Sequence, residues 1–148
     1  MKYDFSVYRR SIIVYAQVTG INDAREVKFI LDTGASKSVL DYSAVTMLGF
    51  KLKRLETGDR LMSAGGGINS KILKLPKLSL FGKDMVNFEI NVLDMPPQIT
   101  YIARGLIGMD FLLQFGKITF DFDEKTIETT DDLALAAAVT PHNADGRR

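Results

Sequence analysis

The amino-acid sequence predicts a mainly β domain, a barrel or a sandwich. Short runs of β-branched and other apolar residues follow one another along most of the chain, and Gly-, Pro-, Asn- and Asp-rich turns separate them. Only brief segments carry a helical pattern. The length of 148 residues suits one domain, and 46 % hydrophobic residues supply one core without a metal or a disulfide.

Residues Ser11 to Thr19 are rich in β-branched side chains and predict a strand, with Gly20-Ile-Asn-Asp as the following turn. Glu26 to Leu31 predicts a second strand, wholly apolar in its later part, as in strands buried on both faces. The two make a hairpin that delivers Asp32 to the end of a buried strand. Val39-Leu40-Asp41 leads into a short helix over Tyr42 to Leu48, capped by Asp41 or Ser43 and ended by Gly49. Leu61 to Leu73 reads as two short strands around Gly65-Gly66-Gly67. Strands follow over Pro76 to Leu80 and Val86 to Leu93, separated by Gly82-Lys83-Asp84, and Met95-Pro96-Pro97 breaks the pattern. A strand over Ile102 to Ile107 precedes Gly108, and a helix over Met109 to Phe115 ends at Gly116. Ile118 to Phe122 and Thr126 to Thr130 form a hairpin around Asp123-Glu124-Lys125. The sequence thus divides into a domain over 1–130 and a tail over 131–148. In the tail Asp131-Asp132 caps a helix over Leu133 to Val139, and a polar stretch expected to be disordered follows Pro141.

Composition excludes several function classes. The formal net charge is +1, which argues against nucleic acid or an anionic membrane as a partner. There is no cysteine, so thiolate catalysis and cysteine–zinc sites are ruled out. The single histidine, His142, lies in the polar tail, a poor place for a Ser-His-Asp site and too little for a histidine-rich metal centre. Lys2, Arg9 and Arg10 before an apolar run faintly resemble a signal peptide, but the run is short, Gln17 interrupts it and Asp4 lies in the basic region, so it reads as a strand. No stretch is long enough to span a bilayer, and the expectation is a cytoplasmic protein. No cofactor and no metal is expected.

The most informative segment is Phe29-Ile-Leu-Asp-Thr-Gly-Ala-Ser36. A carboxylate directly after an apolar strand is costly unless hydrogen bonds hold it. Thr33 offers a hydroxyl and Gly34 allows close backbone approach. Asp-Thr-Gly is also ordinary turn chemistry, and average composition yields it by chance in ~3 % of chains this long, so the tripeptide alone does not decide. The apolar approach and the following Ala-Ser sharpen it.

In this segment the chain resembles the retropepsin-like aspartic proteases, the single-domain family of the retroviral proteases and their bacterial relatives. Two further features carry the resemblance: the glycine-rich hairpin Met62-Ser-Ala-Gly-Gly-Gly-Ile68, where the family has its flap, and Gly105-Leu-Ile-Gly-Met-Asp-Phe-Leu112, an apolar-apolar-Gly-x-Asp segment before a helix. The match spans about residues 11 to 130. It implies a closed barrel of short strands with a flap hairpin and one or two short helices. By position, Asp32 would be the catalytic carboxylate, with Thr33, Gly34 and Ala35 completing its loop. Ala64, Gly65, Gly66 and Gly67 would form the flap tip. Ile68, Ile72 and Leu106 are candidates for apolar substrate pockets, and Asp110 would be structural.

The chain carries one such motif, and Asp41, Asp84 and Asp110 lack its context. The resemblance therefore implies a homodimer, because a two-fold axis brings two copies of Asp32 together. The implied activity is that of an aspartic endopeptidase on a peptide or protein substrate. The competing readings are a non-catalytic peptide- or protein-binding module on the same fold and a small-ligand β-barrel.

Overall fold

The computed structural model describes residues 1–63 and 65–130. Thirteen strands run in chain order among them: β1 (Lys2–Asp4), β2 (Ser6–Tyr8), β3 (Ser11–Thr19), β4 (Ala24–Leu31), β5 (Val39–Asp41), β6 (Glu56–Thr57), β7 (Leu61–Ser63), β8 (Gly66–Ile68), β9 (Lys71–Leu80), β10 (Lys83–Leu93), β11 (Gly105–Ile107), β12 (Lys117–Asp121) and β13 (Thr126–Thr130). Three short helices interrupt them: α1 (Tyr42–Met47), α2 (Pro97–Thr100) and α3 (Met109–Leu112). A 3-10 turn covers Leu52–Arg54.

The strands close on themselves. β3, β4, β11, β5, β10 and β9 are neighbours in that order, and β9 pairs back onto β3 through Gln17↔Ser79, Val18↔Leu78 and Thr19↔Lys77. The result is a six-stranded closed barrel, the retropepsin-like architecture expected from the resemblance. Closure also removes free sheet edges. Alternation places Val14, Ala16 and Val18 of β3 and Val27, Phe29 and Leu31 of β4 inside, against Leu73, Leu75, Leu78 and Leu80 of β9. Full burial of each Val, Leu or Phe among them contributes about 1.5–3 kcal/mol. A separate sheet, β1-β13-β12, packs beside the barrel, with Ile127 wholly buried.

The β9–β10 hairpin departs from the predicted pattern in an instructive way. Inward residues of β9 are Leu73 and Leu75, then Leu78 and Leu80, so the alternation changes phase midway. At that point Pro76 and Asn87 drop out of the ladder, and Asn87 adopts a left-handed φ of 53°. Pro76 has no N–H to give, so the break falls where it costs least. The strands therefore run through the predicted gap, and β9 begins at Lys71 rather than Pro76.

Other predicted boundaries shift. β4 starts at Ala24, two residues before the predicted strand. Residues 97–103, predicted as a break followed by the start of a strand, instead form α2 and a turn. The N–H groups of Ile102 and Ala103 donate to the Ile99 carbonyl at 2.8 and 2.9 Å, and only Gly105–Ile107 remain extended. α3 ends at Leu112, three residues short of the predicted Phe115. β1 and β2 were not predicted. β2 joins β3 through a two-residue turn with Arg9 and Arg10 at φ 48° and 66°, a conformation whose usual signal is Asn-Gly. The helix predicted over Leu133 to Val139 lies outside the described residues. Among the described residues no helix is long and apolar enough to cross a membrane.

Candidate active site

Strand β4 ends at Leu31, and Asp32 follows where the backbone turns out of the barrel. The Asp32 N–H donates to the Ile107 carbonyl at 2.9 Å, which continues the parallel β4–β11 ladder by one bond. Its carboxylate Oδ1 accepts the Gly34 N–H at 2.9 Å, and its carbonyl accepts the Ala35 N–H at 3.2 Å. Asp32 and Ala35 are half-buried, and Thr33 and Gly34 are exposed. The apolar end of β4 thus presents a carboxylate in a tight loop whose tip is exposed.

A second turn braces that loop from behind. β11 lies between β4 and β5, through Leu106↔Ile30 and Gly105↔Leu40, and leads directly into Gly108. A Cβ on Gly108 would lie 2.7 Å from the Ala35 carbonyl oxygen and 2.8 Å from the Lys37 carbonyl carbon, so only glycine permits this approach. The N–H groups of Met109 and Asp110 then donate to the carbonyls of Ala35 and Ser36, at 2.8 and 3.1 Å. The Asp110 carboxylate accepts the Ser38 N–H at 2.9 and 3.0 Å, the Ser38 hydroxyl at 2.7 Å and its neighbour Phe111 N–H at 2.9 Å. Ser38 is fully buried, and its oxygen also accepts the Gly108 N–H at 3.0 Å. Asp110 is therefore spent on holding the loop.

Asp41 and Asp84 are similarly engaged. Asp41, 4 % exposed, caps α1 by accepting the Ser43 N–H at 2.9 Å and the Ser43 hydroxyl, and takes the Met95 N–H at 2.9 Å on its other oxygen. Burial pushes its carboxyl up, but the Ser43 hydroxyl, the Met95 and Ser43 N–H groups and the charge of Arg104 together bring it below the usual carboxylate range. Asp84 accepts the Ser79 hydroxyl at 2.6 Å at the far turn of the β9–β10 hairpin.

The glycine-rich segment forms a hairpin. β7 and β8 pair through Leu61↔Ile68, Met62↔Gly67 and Ser63↔Gly66 and make a two-stranded sheet of their own. Met62 is 80 % exposed, and Arg60 Nη1 closes the root by donating to Asn69 Oδ1 at 3.2 Å. Of the predicted tip, Gly65, Gly66 and Gly67 are in this hairpin, and Ala64 lies outside the described residues.

The three pocket candidates have different surroundings. Ile72 lines a cleft of about 400 Å³ together with Ser36, Lys37, Glu89, Asn91 and Asp110. Ile68 is exposed on β8, and Leu106 packs half-buried against Val39, Leu93 and Met95. Ser38, Lys37, Asp59, Ser70 and Asn91 were not singled out from the sequence. For Ser38 a signal exists: a small hydroxyl immediately before a buried strand, in a chain whose Gly-x-Asp needs a donor. Among the described residues no group of His, Cys, Asp or Glu is arranged to hold a metal ion.

Comparison with known proteins agrees with this geometry. The family model described as aspartyl protease matches residues 16–111. The fold is similar to that of a retropepsin-like aspartic protease from Rickettsia conorii, with TM-score 0.65 and 23 % identity over 87 % of this chain and 89 % of that one. It is also similar to an EIAV protease solved with an inhibitor, with TM-score 0.56 and 21 % identity over 73 % of this chain and 92 % of that one. No curated protein matches the chain by sequence.

Proposed function

The chain belongs to the aspartyl protease family, and from that membership we propose that it is an aspartic endopeptidase acting as a homodimer, with Asp32 as the catalytic carboxylate of each protomer. One observation carries the proposal. The described chain has a single Asp-Thr-Gly loop, its tip is exposed, and Asp41, Asp84 and Asp110 are each committed to other hydrogen bonds. A second carboxylate must then come from a second copy. An isologous interface around Thr33 and Gly34, both exposed here, would supply it.

Two carboxylates held a few ångströms apart resist double ionisation and keep one proton between them, as in aspartic proteases at large. The ionised Asp32 takes a proton from a water bridging the pair. That water attacks the peptide carbonyl carbon, and the protonated Asp32 hydrogen-bonds the carbonyl oxygen as charge develops on it. Proton transfer to the amide nitrogen then releases the amine. The substrate binds extended, its backbone bonded between the Gly34–Ala35 loop and the flap at residues 64–67. Ile68 on the flap and Ile72 and Leu106 on the barrel strands are the side chains proposed to line its apolar pockets. Residues 1–130 form the protease domain in this reading, and 131–148 are an appendage to it.

The test is cleavage of a diverse peptide library by the wild type and by Asp32→Asn at pH about 4–8, with sedimentation of both proteins. Cleavage by a wild-type dimer alone is the expected result. Cleavage by both proteins, or a strict monomer that cleaves, overturns the proposal. A dimer that binds peptides and cleaves none would be a binding module on a protease fold.

A further inference from the structure

We propose that Asn91, acting through Ser70, is a positioning residue that fixes the root of the flap hairpin against the catalytic loop. Its functional consequence rests on the protease reading above, and its structural content does not.

Among the described residues four polar or charged side chains are buried: Ser38, Asp41, Ser70 and Asn91. The first two brace the Asp32 loop and cap α1. The other two bond to each other, Asn91 Nδ2 donating to Ser70 Oγ at 3.0 Å in a buried setting. The Ser70 hydroxyl itself donates to the Asp59 carbonyl, and the Ser70 carbonyl accepts the Gly58 N–H at 2.9 Å. A Cβ on Gly58 would sit 2.7 Å from Ser70 Oγ and 2.8 Å from Ile72 Cγ1, so the strand entering the flap presses onto this pair only because residue 58 lacks a side chain. On its other side the Asn91 N–H donates to the Ser38 carbonyl at 3.2 Å. One chain of hydrogen bonds therefore runs from Asp110 through Ser38, Asn91 and Ser70 to Asp59, just before β7. An exposed bridge, Lys37 Nζ to Asp59 Oδ2 at 3.1 Å, lies alongside it.

The chemistry of the pair favours a geometric role. A buried amide that loses its partner destabilises the fold, and an apolar residue would fill the site without that risk. What Asn91 supplies that leucine cannot is direction: a donor aimed at Ser70 that orients its hydroxyl onto the flap root. The flap is a two-stranded sheet of its own, so its inclination over the loop is set at its roots, Gly58–Arg60 and Asn69–Ser70.

Two variants test this in the full chain. Ser70→Ala removes only the hydroxyl, and Asn91→Leu keeps the branched side-chain framework while removing the donor. In both, amide exchange over residues 58–72 should quicken about tenfold while β3 and β4 keep their protection. With a peptide that the wild type cleaves, KM should rise about three- to tenfold with kcat within about twofold, and Ser70→Thr should restore both exchange and KM. Wild-type exchange over 58–72 in both variants overturns the proposal, as does a fall in kcat at unchanged KM. If the wild type cleaves nothing, the protease reading fails, and the exchange experiment still decides the anchoring.

Discussion

The Asp32 loop and the glycine-rich hairpin, proposed as floor and flap of the site, are built on opposite principles. The Asp32 loop is tied by a run of bonds to the distant segment 107–110, and the buried Ser38 side chain sits at their crossing. The β7–β8 hairpin is short and rich in glycine, with Met62 and Ile68 exposed, and is a sheet of its own. The floor must hold a carboxylate to a fraction of an ångström, which takes many bonds to rigid elements. A flap must let a peptide in and then close, which takes few contacts and cheap backbone motion. The difference teaches where mutations act on chemistry, on stability or on access.

Asp32→Asn tests the floor most directly and should have the largest effect. Activity should fall by about 10²–10⁴ while the melting temperature moves by less than about 2 °C, because Asp32 is half-buried with one side-chain bond. A large drop in thermal stability would make Asp32 part of the brace instead. Asp110→Ala should do the reverse of that pattern at first hand, costing about 3–4 kcal/mol in urea unfolding, because it strands the buried Ser38 N–H and hydroxyl. A loss under 1 kcal/mol would mean the loop does not depend on this crossing.

Asp41→Asn reports on the rigid side through pH. The folded-state carboxyl is lowered, so it contributes stability that is present above the unfolded value near 3.8 and is lost as pH falls through the lower folded value. The variant should be less stable than the wild type by about 1–2 kcal/mol at neutral pH, and the gap should close below about pH 4. A gap independent of pH would contradict this. Lys37→Ala should matter least. Its bridge to Asp59 joins floor to flap, but both partners are about half or more exposed, so the change should stay within about 1 kcal/mol and vanish in high salt. A larger effect on flap exchange would make this bridge, and not the Asn91–Ser70 pair, the principal tie.

Much of the scaffold was legible from local pattern. The β-branched run over Ser11–Thr19 and the apolar run ending at Leu31 specified the hairpin that presents Asp32, and of the two cap candidates, Asp41 and Ser43, the structure uses Asp41. The misses have local causes too. Arg9-Arg10 occupies a turn that favours Asn-Gly, which concealed β2. Pro76 reads as a boundary, whereas Asn87 opposite it absorbs the distortion and lets both strands continue. Ile102 and Ala103 have strand-like character but close a helical turn onto Ile99.

By itself the sequence determined which carboxylate stands at the end of a buried strand, that Thr and Gly follow it, and that glycines lie where backbones must approach or a hairpin must bend. Those properties depend on residues within a few positions of one another. Only the tertiary structure decided that Asp110 is consumed by Ser38, 72 residues away, and that Asn91 reaches Ser70 beneath the flap root. Such pairings depend on which strands become neighbours when the barrel closes. A buried donor must find its acceptor wherever the closure brings one within reach.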